Sequence, residues 1–230
     1  MVSDGRYIKS EGHFKCYACE ALSSQFADRL DFNQFYLSLH PDAVKDEFLR
    51  VASLYLFLVK RGDWYVNIQG SDPVVDYLTN SFKLVALFSL VESLSAERHV
   101  DFYEWLTMQD RDGSFPIADK RALSPLYREY KLAYGSIWRC VTFFDRLPSA
   151  HKEALCGAIK IKGKPLGSVR KVAEFLYNLR SKFVHEGQLA LHISGSAVAS
   201  VRAGIDTQLS MDVLSEAFEQ GVLAHFRSRM

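Results

Sequence analysis

The stretch that most limits what this chain can become runs from Pro73 to Ala96. Val74, Val75, Leu78, Phe82, Leu84, Val85, Leu87, Phe88, Leu90, Val91 and Leu94 fall on nearly every face of a helix drawn through it. A helix apolar on all sides is disfavoured on a wet surface. It becomes the centre of a core, with other helices packed around it. Pro73, directly after Asp72, suits the first turn of such a helix. Lys83, Ser89 and Glu92 interrupt the apolar run, so it falls short of the roughly 18–20 residues of a membrane span. The first residues lack the basic, apolar and small-residue series of a secretion signal. The expectation is a cytoplasmic protein with no membrane partner.

Around that centre the pattern is again helical. Residues 41–61 begin on Pro41. Residues 125–146 follow Ser124 as N-cap and stop before Pro148. A short helix fits 150–159. Ser168 caps a helix over 169–185, and Gly187 stands where a left-handed glycine ends one. A last helix covers 210–227. Leu189, Leu191 and Ile193 alternate before an SGS turn, which predicts a short β-hairpin near 188–203. Residues 1–35 have no clear period. With 230 residues, 48% of them apolar, the chain can fill a full core. The fold class expected is all-α, a bundle of four to five core helices. The division expected is an extension over 1–65 with one helix, packed on a helical domain over 66–230.

Cysteine usage and charge narrow the chemistry. Cys16 and Cys19 form one C-x-x-C, while Cys140 and Cys156 stand apart. A zinc ribbon needs a second tight pair. Reduced thiols, structural or at the surface, are the reading, with a metal held by Cys16, Cys19 and His13 as the lesser one. The net charge of +1 is unremarkable, but its distribution is uneven. Lys160, Lys162, Lys164, Arg170, Lys171, Arg180 and Lys182 face the single acid Glu174 within 160–182. The rest of the chain carries 21 basic and 26 acidic residues. Such asymmetry marks either a surface for a polyanion or a solvated lysine-rich loop.

Arg180 and His185 end the helix at 169–185, beside a stripe of Val172, Phe175, Leu176, Leu179 and Phe183. The same spacing class occurs at Arg6–His13 and Arg146–His151, so spacing alone decides nothing. Only the pair at 180 and 185 closes an amphipathic helix and follows the basic segment. Within one straight helix the two side chains point roughly 140° apart. They meet only if the helix end unwinds near Gly187, or if two copies face each other across a dimer axis. Without such a meeting, Arg180 pairs with an acid and His185 favours the helix dipole. Glu92, near the end of the apolar helix, needs a cationic partner if it is buried, and Arg180 and Arg139 are the candidates.

The phrase LYNLRSKFVHEG resembles the signature of the HEPN family, helical bundles with Arg-x4–6-His near the end of a late helix. FKLVALFSLVESL resembles that family's earlier core helix, with Glu92 as its acidic residue. EYKLAYGSIWRCVTFFDRL is similar to the helix between them. The resemblance spans about 70–226 and leaves out 1–65 and 188–206. It implies a metal-independent endoribonuclease without cofactor, acting on single-stranded RNA as a homodimer with two motifs across one cleft. Arg180 and His185 would then be catalytic, with Ser181 and Glu92 in support. Lys160, Lys162, Lys164, Arg170, Lys171 and Lys182 would hold the RNA backbone. A toxin or defence role, with an antitoxin or other protein partner, would follow. Ser181 departs from the Asn, Asp or His common after the arginine, which leaves a non-catalytic module binding nucleic acid, nucleotide or protein as the alternative. No tyrosine stands two residues after His185, so the variant tied to a partner nucleotidyltransferase is not expected.

Overall fold

A computed structural model describes residues 5–94, 100–107, 120–193, 198–200 and 204–230. Ten α-helices and one small antiparallel sheet make up the described fold. Helices α1 (Glu11–Ala21), α2 (Arg29–Ser38) and α3 (Asp42–Tyr55) open the chain, and a π-helical stretch over Leu56–Lys60 prolongs α3. Next come α4 (Asp72–Ser93), α5 (Phe102–Leu106), α6 (Lys120–Tyr134), α7 (Ser136–Asp145) and α8 (Ser149–Gly157). Strands β1 (Ile159–Ile161) and β2 (Lys164–Pro165) precede α9 (Val169–Glu186). Strands β3 (Val198–Ser200) and β4 (Ile205–Thr207) precede α10 (Met211–Arg227).

The mostly helical character agrees with the sequence, but several expectations change. Residues 1–65 hold three helices, not one. One hydrophobic core runs from Ala18 through Phe48, Leu84 and Leu176 to Phe226, so the core crosses position 65. Phe48 meets Phe226 edge-on at 5.2 Å, and Tyr55 lies 4.8 Å from Phe218, binding α3 to α10. The helix expected over 125–146 is two helices. The chain starts to coil at Lys120, Pro125 lies inside α6, and Gly135, extended at ψ 137°, breaks the run. The lysine-rich segment after α8 is a hairpin rather than a loop. Lys162 and Gly163 both take positive φ, the pattern of a two-residue primed turn, and Ile161 faces Lys164 across it. The hairpin expected at 188–203 is displaced. Leu191–Ile193 is a 3-10 turn, and the pairing lies later, between β3 and β4. The SGS turn is outside the described residues. Strand order is β2-β1-β4-β3, so β4 joins the two hairpins into one sheet.

α4 packs against α3, α7, α9 and α10 as its composition requires. Leu84, Leu87, Phe88, Leu90, Val91 and Leu94 are buried, whereas Val74 and Phe82 near its start are exposed. The helix Val74–Ser93 is, by length and composition alone, apolar enough to cross a membrane, despite its interrupting polar residues. Its buried second half instead packs in the core of this bundle. Phe143 of α7 presses on α10 at Gly221, where a Cβ would stand 2.3 Å from the ring. Only a glycine permits that approach.

One polar hub lies inside this core. Glu219 of α10 is 3% exposed. It accepts from Tyr55 Oη at 2.7 Å, Ser24 Oγ at 2.6 Å and Gln25 Nε2 at 2.9 Å, and pairs with Lys60 Nζ at 2.8 Å. Burial pushes its carboxyl up, but bonds from Lys60, Ser24, Tyr55 and Gln25 prevail and hold it below the usual range. A buried carboxylate requires such a full set of donors.

Candidate functional site

α9 positions the Arg–His pair. Ser168 caps it by accepting from the Lys171 N–H, and Gly187 closes it at φ 67°, both as the sequence implies. Val169, Val172, Ala173 and Leu176 face the core. Phe183 meets Phe82 of α4 edge-on at 4.9 Å, and Tyr177 lies 6.2 Å from Phe88. These contacts fix the rotation of α9 and turn Arg180 inward.

Arg180 is half-buried, with its guanidinium 5.7 Å from the centre of the Tyr177 ring. Its Nε is buried without a hydrogen-bond partner. Glu92 Oε1 is likewise buried and unpartnered, as are Nε and Nη2 of Arg139. The three charges share one neighbour, the buried Cys140 of α7. Burial pushes that thiol far up; Glu92 adds to the rise, and Arg180 and Arg139 oppose it. The expectation that Glu92 pairs with Arg180 or Arg139 is therefore not met. No carboxylate–guanidinium contact joins them among the described residues. The charges act around Cys140 instead.

His185 is exposed on the last turn of α9. The helix stays α-helical through Glu186, so it does not unwind to bring His185 back to Arg180. In one copy the two side chains leave the helix roughly 140° apart. Ser181, beside Arg180, is half-buried.

The basic residues spread along α9 and its hairpin. Lys162, Lys164, Lys171 and Lys182 are exposed, and Lys160 is half-buried. Arg170 bonds Glu174 at 3.0 Å, which offsets its charge. At about 1.5 Å per residue, Arg170 lies some 22 Å along the axis from His185. The hairpin lysines thus gather near the opposite end of α9 from the histidine.

Two features escaped sequence reasoning. His192, in the 3-10 turn, packs against Phe175 at 6.0 Å, with Nδ1 buried and unpartnered. Burial, with Lys182 nearby, pushes its pKa down. Nothing in the sequence signals that approach. Arg146 does not meet His151, which lies 3.5 Å from Glu216, but bonds His225 of α10. Its spacing from Arg139 on α7 was the available signal.

The C-x-x-C pair lies on α1. Cys16 is exposed, burial raises the Cys19 thiol, and no group of three potential metal ligands gathers among the described residues.

The fold and site together define a mostly helical bundle with a small sheet and an Arg–His pair on a late helix. Comparison with protein-family models, curated proteins and solved structures finds no match for the chain.

Proposed function

We propose that the chain is a HEPN-like, metal-independent endoribonuclease that cuts single-stranded RNA as a cytoplasmic homodimer. The observation that carries this reading is the setting of Arg180. Its inward guanidinium has a buried, unpartnered Nε and shares Cys140 as a neighbour with Glu92, and His185 stands exposed one and a half turns further along the same helix. Because the two diverge within one copy, the reading requires the second copy, whose α9 brings its own pair to a shared cleft. A toxin or defence role, held in check by a protein partner, suits such an activity.

The chemistry needs few parts. RNA supplies its own nucleophile, the 2′-OH. A histidine takes that proton as general base. As the 2′-oxygen bonds to phosphorus, the bond to the 5′-oxygen breaks and charge builds on the phosphate oxygens. A guanidinium stabilises that charge. Lys162, Lys164, Lys171 and Lys182 would hold the backbone by salt-sensitive contacts. The half-buried Ser181 and the absence, among the described residues, of a hydrogen-bond partner orienting His185 favour the second reading, a non-catalytic module of the same fold.

The test is cleavage of single-stranded RNA in excess EDTA. Products should carry a 2′,3′-cyclic phosphate and a 5′-hydroxyl, and DNA of the same sequence should survive. His185→Ala and Arg180→Ala should each abolish cutting. His151→Ala, beside Glu216, should not. Cutting that needs a divalent ion, or that persists in His185→Ala, overturns the mechanism. A strict monomer in sedimentation at micromolar concentration overturns the dimer. Binding without cleavage selects the module.

A further inference from the structure

A second site lies between the end of α4, one face of α7 and the end of α10. Val91, Leu94 and Phe143 give it apolar walls, and Trp138, Arg139, Thr142, Arg146, His225, Ser228 and Arg229 complete a cavity of about 390 Å³. That volume suits a small organic ligand. Among the described residues, no carboxylate lines it. Arg139 and Phe143 of α7 and Arg146, its C-cap, recur at helical spacing, so this face supplies two guanidinium groups and an aromatic ring to the cavity.

The donors are poorly matched to one another. Arg146 contacts Nδ1 of His225, and Arg229 Nη1 approaches Nε2 of the same ring at 3.4 Å. A neutral imidazole has one acceptor nitrogen and one N–H. It can receive one of these arginines; toward the other it presents a hydrogen, donor against donor. Arg139 adds two buried nitrogens without an acceptor. Glu47, outside the cavity lining, takes Arg229. The cavity is therefore rich in N–H groups and short of acceptors. An anion with several oxygens corrects that deficit, and planar guanidinium groups match phosphate oxygens in pairs.

Trp138 adds a second requirement. It is 45% exposed at the cavity, next in sequence to Arg139. Its ring offers a flat face to a flat ligand, and Val91, Leu94 and Phe143 take apolar atoms. We propose that this cavity binds a phosphate ester carrying an aromatic ring, a nucleoside monophosphate in size and chemistry. The phosphate lies among Arg139, Arg146 and the His225 edge, and the base lies against Trp138. The site is separate from the Arg180–His185 pair and stands whether or not that pair cuts RNA.

The test is calorimetric titration of the full chain with AMP, GMP, CMP and UMP, with inorganic phosphate, adenosine and succinate as controls. At least one monophosphate should bind tenfold or more tighter than phosphate and adenosine alike, and succinate should bind more weakly than phosphate. Arg146→Gln should remove at least tenfold of the monophosphate affinity. Trp138→Ala, at an exposed position that leaves the core intact, should reduce the monophosphate to the affinity of phosphate. A 5′-phosphorylated pentanucleotide, compared with its unphosphorylated form, separates a free nucleotide from an RNA end as the source. No binding at millimolar AMP, GMP, CMP or UMP overturns the proposal. So does equal binding of succinate, or monophosphate affinity unchanged in both variants.

Discussion

Replacing Glu219 by glutamine should destabilise the whole fold. One oxygen of the carboxylate accepts from Tyr55 and Lys60, the other from Ser24 and Gln25. The hydroxyls of Tyr55 and Ser24 can rotate to accept from the new amide. Lys60 Nζ and Gln25 Nε2 cannot, because both only donate. Whichever way the amide turns, it meets one donor with another. Removing one partner of a buried ion pair costs about 3–5 kcal/mol. The Lys60 side chain is 27% exposed and can reach water, which lowers the figure. About 2–4 kcal/mol remains, a fall in melting temperature of about 5–15 °C for a chain of this size. Urea unfolding should show a lower midpoint with an unchanged slope. The deficit should also shrink in acid. A carboxyl held below its usual value contributes stability that is full above 4.5 and is lost as pH falls through its folded pKa, and Glu219→Gln has no such contribution to lose. A variant within 0.5 kcal/mol of the parent at pH 7, on the scale of ordinary surface substitutions, would refute the argument that these contacts bind α10 to the N-terminal helices.

Gly221→Ala forces a Cβ to within 2.3 Å of the Phe143 ring, so it should cost about 1–3 kcal/mol, read as a drop in melting temperature. Burial, then Arg146 and Arg229, pushes the pKa of His225 down to about 4. Its imidazole resonances should stay flat from pH 8 to 5. The stability it contributes is whole above 6.5, the value in the unfolded chain, and is lost as pH falls toward 4.

How much of this was legible follows from what each helix buries. α9 and α10 have side-chain caps at Ser168 and Ser210 and broad apolar stripes, so their limits could be read within a residue or two. α1 could not be read because its buried residues are Ala18 and Ala21, too small to mark a face against Tyr17 and Phe14. The start of α6 was misplaced because Ser124–Pro125 imitates a cap. Proline is tolerated early in a helix, where N–H groups lack partners anyway, and α6 holds it one turn later. The turn at Lys162–Gly163 was hidden by a lysine at positive φ, which that residue rarely adopts. At the site, the partial burial of Arg180 and Glu92 was inferable from the stripes beside them. Their shared neighbour Cys140 lies on a third helix, and sequence alone cannot set that helix's rotation.

α7 is where the two candidate sites come closest. Cys140 turns toward Glu92 and Arg180, while Arg139, the residue before it, lines the cationic cavity and still acts on the Cys140 thiol. Among the described residues, one carboxylate therefore acts on the same thiol as two guanidinium groups, and neither guanidinium forms an ion pair. Burying such a surplus is costly unless something outside compensates it. Glu47 does so for Arg229, and solvent for the exposed Arg146. Arg139, with two nitrogens buried, would be compensated by the anion proposed for the cavity. That requirement comes from charge balance alone. It holds if Arg180 and His185 cut RNA, and equally if they only bind it.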